Sequence, residues 1–419
     1  MEPEKLADLL DAALPMGLSP FITIRQFCRR KDREEAIRSQ QSQRSPQTDI
    51  ISSPIHTPIA AMSRILTQDP IQPQPISPTY SEDPSLPTPP PETLLPAKQA
   101  TVYIPAPIHP QGLAYARTRF GRVITKDEVD PSEAWALADG VVNRANPLSK
   151  AILQVAPRLS AISQVGVGYD SIDIDHCRDH HIVVTNCPGA NGDSVAELTL
   201  ALTLALLRRI SELERRLRAG ETMLSINNLG RSLKGKIVGM IGMGSTARKA
   251  AELFHHAFAC EIHIYSPTSS PSKWTTHDLE SGALPHTRHA NLVDMLPLVD
   301  ILTLHCPLTP QTEDLISHPE LGLMKADAIL VNMSRGAVVN EKALYAALVA
   351  GNILGAASDV FHFEPVNKDA CENLLELENF VGTPHIGGST VEAQIDINYL
   401  AIDQLADVFD GRQVKNRVC

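Results

Sequence analysis

From residue 101 onward the chain alternates short apolar runs with helical segments, and that alternation restricts the fold more than any other feature. The runs are TVYIPAP, ADGVVNRA, LSAISQVGVGY, KIVGMIGM (236–243), EIHIY, DILTLHC, AILVNM and LGAASDV, with patterns such as EKALYAALVAG between later ones. Strands that are apolar on both faces and separated by helices belong in parallel sheets linked by right-handed crossovers. The fold class is therefore α/β. A single long helix is expected from about Ser194 to Arg218. Its first half is apolar and its second, RRISELERRLRAG, carries charge at helical spacing up to a stop at Gly220. It is expected to connect two domains.

Length agrees, since single cores stop growing near about 250–300 residues and this chain has 419. Sixteen of its 32 prolines but only one of its 23 glycines precede residue 100, in a stretch also rich in Ser, Gln and Thr. Such a composition cannot build a packed core, so 1–99 is expected to be a disordered extension. Within it, 77–96 favours polyproline-type conformations and 5–30 could hold a short helix. The formal charge of −11 argues against nucleic acid or an anionic membrane as the main partner. Seven scattered cysteines without a C-x-x-C pair suggest reduced thiols rather than a disulfide or metal framework. The acidic start MEPEKLADLLDAAL lacks the positive charge of an export signal. A cytoplasmic protein is expected. The apolar run LTLALTLALL at 198–207 has about half of the ~20 residues a membrane span needs. The pairs His180-His181 and His255-His256 lack the i, i+4 spacing of helical metal ligands, and no metal is expected.

Directly after the run at 236–243 come Gly242-Met243-Gly244-Ser245-Thr246-Ala247, a G-x-G-x-x-A loop between strand and helix. Gly242 permits the tight turn, Gly244 lets the backbone approach a pyrophosphate, and Ala247 lets helix pack on strand. With Ser245 and Thr246 they open a helix whose free N–H groups bind phosphate oxygens. A dinucleotide is the implied ligand. Where an Asp or Glu would take the adenine-ribose hydroxyls, the strand EIHIY ends in Ser266. Serine does not repel a 2′-phosphate, yet no arginine follows directly and only Lys273 lies near in sequence. NAD and NADP both stay open.

Further segments carry a family resemblance. They are GVGYDSID (166–173), NCPGANGDSVAEL (186–198), HCPLTPQTEDLI (305–316), NMSRGAVVN (332–340), SDVFHFEP (358–365) and TPHIGGSTVEA (383–393). With the glycine loop, in this order, they resemble the D-isomer-specific 2-hydroxyacid dehydrogenases, the group containing phosphoglycerate, glyoxylate/hydroxypyruvate and D-lactate dehydrogenases. The resemblance covers nearly all of 101–410. It implies two Rossmann-like parallel-sheet domains with a cleft between them. A flavodoxin-like substrate domain would take 100–205 with 385–419, and an NAD(P)-binding domain 206–384. It also implies a homodimer through the cofactor domain and the 187–220 segment.

Residue by residue, the resemblance makes Arg335 the group that grips the substrate carboxylate and carbonyl, a task suited to a permanently charged fork. His385 would be the acid/base and Glu364 the carboxylate holding its imidazole, for hydride transfer between a nicotinamide and a small 2-oxo or 2-hydroxy acid. The backbone of Val167 and Gly168 would take the substrate carboxylate. Asp359 would fix the nicotinamide carboxamide, and His305 and Pro307 would lie against the cofactor. Leu198, Asn340 and Ser266 depart from the family pattern. Two rivals share the fold. The C-terminal-binding protein corepressors sense dinucleotide rather than turn over substrate, and formate dehydrogenases place glutamine where Glu364 stands.

Overall fold

The first strands form where the apolar runs begin, because residues buried on both faces of a sheet need no polar alternation. The computed structural model describes residues 95–144, 146–279, 281–367 and 371–419. The expected extension, apart from 95–99, and the helix expected within 5–30 lie outside these residues. Residues Ala97–Gln99 form a 3-10 turn whose Ala97 is buried and donates its N–H to Asp410 Oδ1.

The first half runs β1 (Thr101–Ile104), α1 (Pro110–Arg119), β2 (Arg122–Thr125), α2 (Pro131–Leu137), β3 (Gly140–Asn143), α3 (Lys150–Gln154), β4 (Ala161–Gln164), α4 (Ile174–Asp179) and β5 (Val183–Thr185). Its all-parallel sheet has the order β2-β1-β3-β4-β5, the flavodoxin-like arrangement. Proline opens both α1 and α2, where its missing N–H costs nothing, and Asp130 caps α2 from the Ser132 N–H.

Then follow α5 (Gly192–Leu207), α6 (Ile210–Arg218), β6 (Ile237–Ile241), α7 (Ser245–Phe258), β7 (Glu261–Tyr265), β8 (Thr287–His289), α8 (Leu292–Met295), β9 (Ile301–Leu304), α9 (His318–Leu323), β10 (Ile329–Asn332), α10 (Glu341–Ala350), β11 (Gly355–Ser358), β12 (Phe380–Gly382) and α11 (Val391–Phe409). The second parallel sheet has the order β12-β11-β10-β9-β6-β7-β8, the doubly wound pattern with its reversal between β6 and β9. Two parallel α/β sheets were expected, and two are present.

The single helix expected over 194–218 is a correction. It breaks at Arg209, which takes the left-handed conformation (φ 55°) and forks its guanidinium onto Glu212 in the first turn of α6. Helix α5 packs on α7 and on β10–β12, so it covers the second sheet. Helix α11 returns to the first, against α1 and β3–β5. There Gly140 admits the Phe409 ring; a Cβ would sit 2.7 Å from its Cζ. The two crossovers are tied by Ser194 Oγ donating to the Gly387 carbonyl at 2.6 Å.

Two of the departures have packing explanations. Asn340 caps α10 by accepting from the Ala343 N–H, a task Asn performs as well as Asp. Leu198 packs against the core of the second sheet. No helix among the described residues is long and apolar enough to cross a membrane.

Helix α7 buries Ala247, Ala250, Ala251 and Phe254, one stripe at helical spacing, against β6 and β7. Phe254 is fully buried. Phe254→Ala is expected to lower unfolding free energy by about 3–5 kcal/mol, measured as a lower denaturant midpoint.

Candidate active site

Strands β10, β11 and β12 are adjacent and parallel, so the loops leaving their carboxyl ends meet at one rim. Each loop carries one of the expected residues. After β10, buried Asn332 shapes the turn. Its Oδ1 accepts from Ser334 N–H and hydroxyl, and its Nδ2 donates to the Arg335 carbonyl. Gly336 then lies so close to the next loop that a Cβ would overlap Phe361 and His362 backbone. This contact sets Arg335 beside the loop carrying Glu364.

Glu364 Oε1 accepts the Phe361 N–H at 3.0 Å, and Oε2 meets His385 Nδ1 at 2.7 Å. His385 itself sits at φ 54°, an uncommon conformation for histidine. It is enforced from below. The buried Asp359 carboxylate accepts from Thr383 Oγ1 (2.6 Å) and Ile386 N (2.8 Å) at Oδ1, and from Gly387 N (2.7 Å) at Oδ2. The His385 N–H donates to the Asp359 carbonyl at 2.8 Å. Side chains of Arg335, Glu364 and His385 remain 30%, 33% and 48% exposed, which leaves them open to a small ligand.

The loop after β4 completes the rim. Gly168 lets the Arg335 guanidinium lie directly on this loop; a Cβ there would overlap Arg335 Nη2 and force the side chain to move. Asp170 of the same loop accepts from Arg335 Nε at 3.1 and 3.2 Å and from Nη2 at 3.0 Å. Arg335 Nη1 donates to the Ser334 carbonyl. Val167 is exposed, its carbonyl taken by Asn186 Nδ2. The structure therefore gathers Val167, Gly168, Arg335, Glu364, His385 and Asp359. Sequence reasoning missed Asp170, though it lies inside a quoted motif and offers the negative charge an arginine seeks. Asn332 and Ser194 were missed as well, as polar residues whose partners come from other loops.

The dinucleotide loop lies where strand order reverses. Gly242 has φ 103°, and a Cβ there would sit 2.9 Å from the His305 carbonyl. Gly244 has open space where a Cβ would be, and it precedes α7 without a side-chain cap. Ser245 and Thr246 occupy the first turn, whose N–H groups have no intrahelical partner. Both His305 ring nitrogens are buried and unpartnered among the described residues, and burial pushes the imidazole pKa down to about 4. A neutral ring with two orphaned nitrogens, an open glycine and an uncapped helix start suit a phosphate-bearing cofactor. Pro307 is exposed beside them and Ser266 is buried at the end of β7.

Comparisons with known proteins agree. Residues 200–387 match the NAD-binding domain of the D-isomer specific 2-hydroxyacid dehydrogenases. A protein named glyoxylate/hydroxypyruvate reductase B from Pectobacterium carotovorum is 36% identical over 309 residues, 72% of this chain and 93% of that one. Among solved structures, an NADPH-dependent glyoxylate/hydroxypyruvate reductase of Sinorhizobium meliloti, in complex with NADP and malonate, is 27% identical. It has a TM-score of 0.66 over 77% of this chain and 97% of its own. A D-lactate dehydrogenase of Aquifex aeolicus, complexed with NAD and lactic acid, is 26% identical, with a TM-score of 0.65 over 76% and 98%. The chain belongs to the D-isomer specific 2-hydroxyacid dehydrogenase family. It is an oxidoreductase that uses NAD or NADP to interconvert 2-oxo and 2-hydroxy acids.

Burial pushes the Glu364 carboxyl up, but the His385 hydrogen bond and charge, the Phe361 N–H and the Arg335 guanidinium together hold it below the usual range. A depressed folded-state pKa adds stability that is present above the ordinary glutamate value and lost as pH falls through the lowered one. Melting temperature is therefore expected to fall with acidification, with a shallower slope in Glu364→Gln over that acidic window. Parallel slopes in the two proteins would contradict this assignment.

Proposed function

We propose that the chain reduces a small 2-oxo acid to its D-2-hydroxy acid, and catalyses the reverse, with Arg335 anchoring the substrate and His385 moving the proton. The observation that carries this reading is the 2.7 Å contact of His385 Nδ1 with Glu364, beside the Arg335 guanidinium. With Nδ1 committed to the carboxylate, Nε2 is the nitrogen left to give or take a proton at the substrate C2 oxygen. The bound nicotinamide supplies or accepts the hydride.

Arg335 grips the substrate carboxylate and carbonyl, with help from the Val167 and Gly168 backbone. It also stabilises negative charge that grows on the oxygen. An incoming carboxylate shares or displaces Asp170. Asp359 holds the His385 turn; among the described residues its Oδ2 accepts one bond, leaving capacity for a nicotinamide carboxamide. Gly242, Gly244, Ser245, Thr246, Ser266, His305 and Pro307 form the cofactor side. In this reading 100–205 with 385–419 hold substrate and 206–384 hold cofactor, α5 crossing between them. Similarity to proteins named glyoxylate/hydroxypyruvate reductase supports two- and three-carbon acids, and does not favour a dinucleotide-sensing corepressor. Buried thiols at Cys177, Cys187, Cys260, Cys306 and Cys419 suit the reducing cytosol.

The test is oxidation of NADH and NADPH in the presence of glyoxylate, hydroxypyruvate, phosphohydroxypyruvate and aryl-pyruvates, with chiral analysis of the product. Turnover with none of them would favour the binding-protein alternative. His385→Asn is expected to lower kcat about 100- to 10,000-fold while dinucleotide binding persists. Arg335→Lys should both lower kcat and raise KM, since ammonium cannot reproduce the fork.

A homodimer through the cofactor half and the 187–220 segment belongs to the same reading. Exposed Leu217, Leu224, Ile226 and Leu229, at 61–68%, support an interface in and just beyond that segment. Ile226→Asp is expected to shift light-scattering mass from dimer to monomer; a monomeric parent protein refutes the dimer.

A further inference from the structure

We propose that this chain binds NADP in preference to NAD, its 2′-phosphate held by Arg288, Ser266 and the turn between them. The inference rests on the oxidoreductase reading above and concerns which dinucleotide the cofactor loops accept.

An acidic residue at the end of the second strand of such a sheet bonds the ribose 2′-hydroxyl and repels a phosphate there. Here that position is Ser266, and no Asp or Glu occurs from 266 to 277. The position is well defined. The Gly242 N–H donates to the Tyr265 carbonyl at 2.9 Å, which ties the glycine loop to the residue just before Ser266. Ser266 Oγ lies 2.7 Å from Ser269 Oγ, so two hydroxyls are grouped at the strand end.

Sequence reading found no arginine following Ser266. The fold supplies one from the neighbouring strand. Strand β8 pairs with β7 in the register Ile264 to Arg288. Arg288 Nη2 donates to the Ser266 and Ser269 carbonyls, both at 2.6 Å, and Nη1 to the Ser270 carbonyl at 2.7 Å. These partners are neutral, so the guanidinium keeps its whole charge at the turn. By contrast, Arg248 on α7 spends its charge on Glu252.

The turn is polarised as a result. Because the Ser269 carbonyl points at Arg288, the Ser270 N–H across the same trans peptide points the opposite way, as a donor on the other side of the turn. Lys273, half-buried a few residues on, adds a second cation to the segment. A phosphate monoester carries about 1.5 to 2 negative charges near neutral pH. A permanently charged guanidinium and clustered hydroxyls favour it over a neutral 2′-hydroxyl.

Isothermal titration of the full chain with NADPH, NADH, adenosine 2′,5′-bisphosphate and AMP tests this without relying on turnover. NADPH is expected to bind at least tenfold more tightly than NADH, and the bisphosphate more tightly than AMP. Both differences should shrink as salt is added. Arg288→Gln should weaken NADPH binding more than NADH binding, closing the gap between the two. Since Arg288 also ties the turn, Ser266→Asp provides a second arm that keeps those bonds, and it should bring NADPH affinity to or below that of NADH. Equal affinities in the parent protein, or tighter NADH, would mean that Arg288 only braces the turn and would overturn this inference while leaving the oxidoreductase reading intact. Binding of neither dinucleotide would overturn both.

Discussion

The arrangement of the rim depends on one buried carboxylate. Asp359 directly follows β11 and accepts three hydrogen bonds from the turn that follows β12, which holds His385 in a left-handed conformation it would not adopt unaided. A carboxyl group this deeply buried is tolerable only because it is well supplied with donors. The turn so held places the imidazole within reach of Glu364, whose carboxylate meets its Nδ1 at 2.7 Å. In the reaction proposed above, fixed geometry of this kind would remove reorganisation from the proton transfer assigned to His385.

Around that anchor, close backbone approach does the rest. Gly336 brings the Arg335 turn against the Phe361 backbone, and Gly168 lets the guanidinium lie directly on the opposite loop. A side chain at Gly336 would collide with the Phe361 and His362 backbone, and one at Gly168 would push the guanidinium off the loop. The ion pair with Asp170 keeps Arg335 extended across the rim. Ser194, bonded to Gly387, joins the same turn to the start of α5, so the crossover between the two sheets and the turn carrying the histidine are mechanically linked.

The cofactor side follows a different logic, in which backbone rather than side chains makes the site. Gly244 leaves open space beside the start of α7, which has no side-chain cap, and among the described residues the buried His305 ring nitrogens have no partner. Buried polar groups of this kind are costly unless they are hydrogen-bonded. The proposed selectivity for the 2′-phosphate lies toward the sheet edge, where the end of β7 and the arginine of β8 meet.

Much of this was readable from residue order. The long apolar strands, the glycine loop and α7 follow from local pattern, because burial on both faces and tight turns impose residue types directly, whereas Arg335, Glu364 and His385 were singled out by the family resemblance. The short strands β2, β5, β8 and β12 did not stand out; β8 is only Thr-Arg-His and partly exposed, so its pairing depends on the neighbouring strand rather than on its own composition. The break at Arg209 was likewise invisible, since a helical charge pattern continues across it. Asp170 with Arg335, Asp359 beneath His385 and Arg288 beneath Ser266 are pairings between segments far apart in the chain. Sequence alone names the chemical groups; which of them share a hydrogen bond is decided by strand order and register, a property of the assembled sheets and of no single stretch of chain.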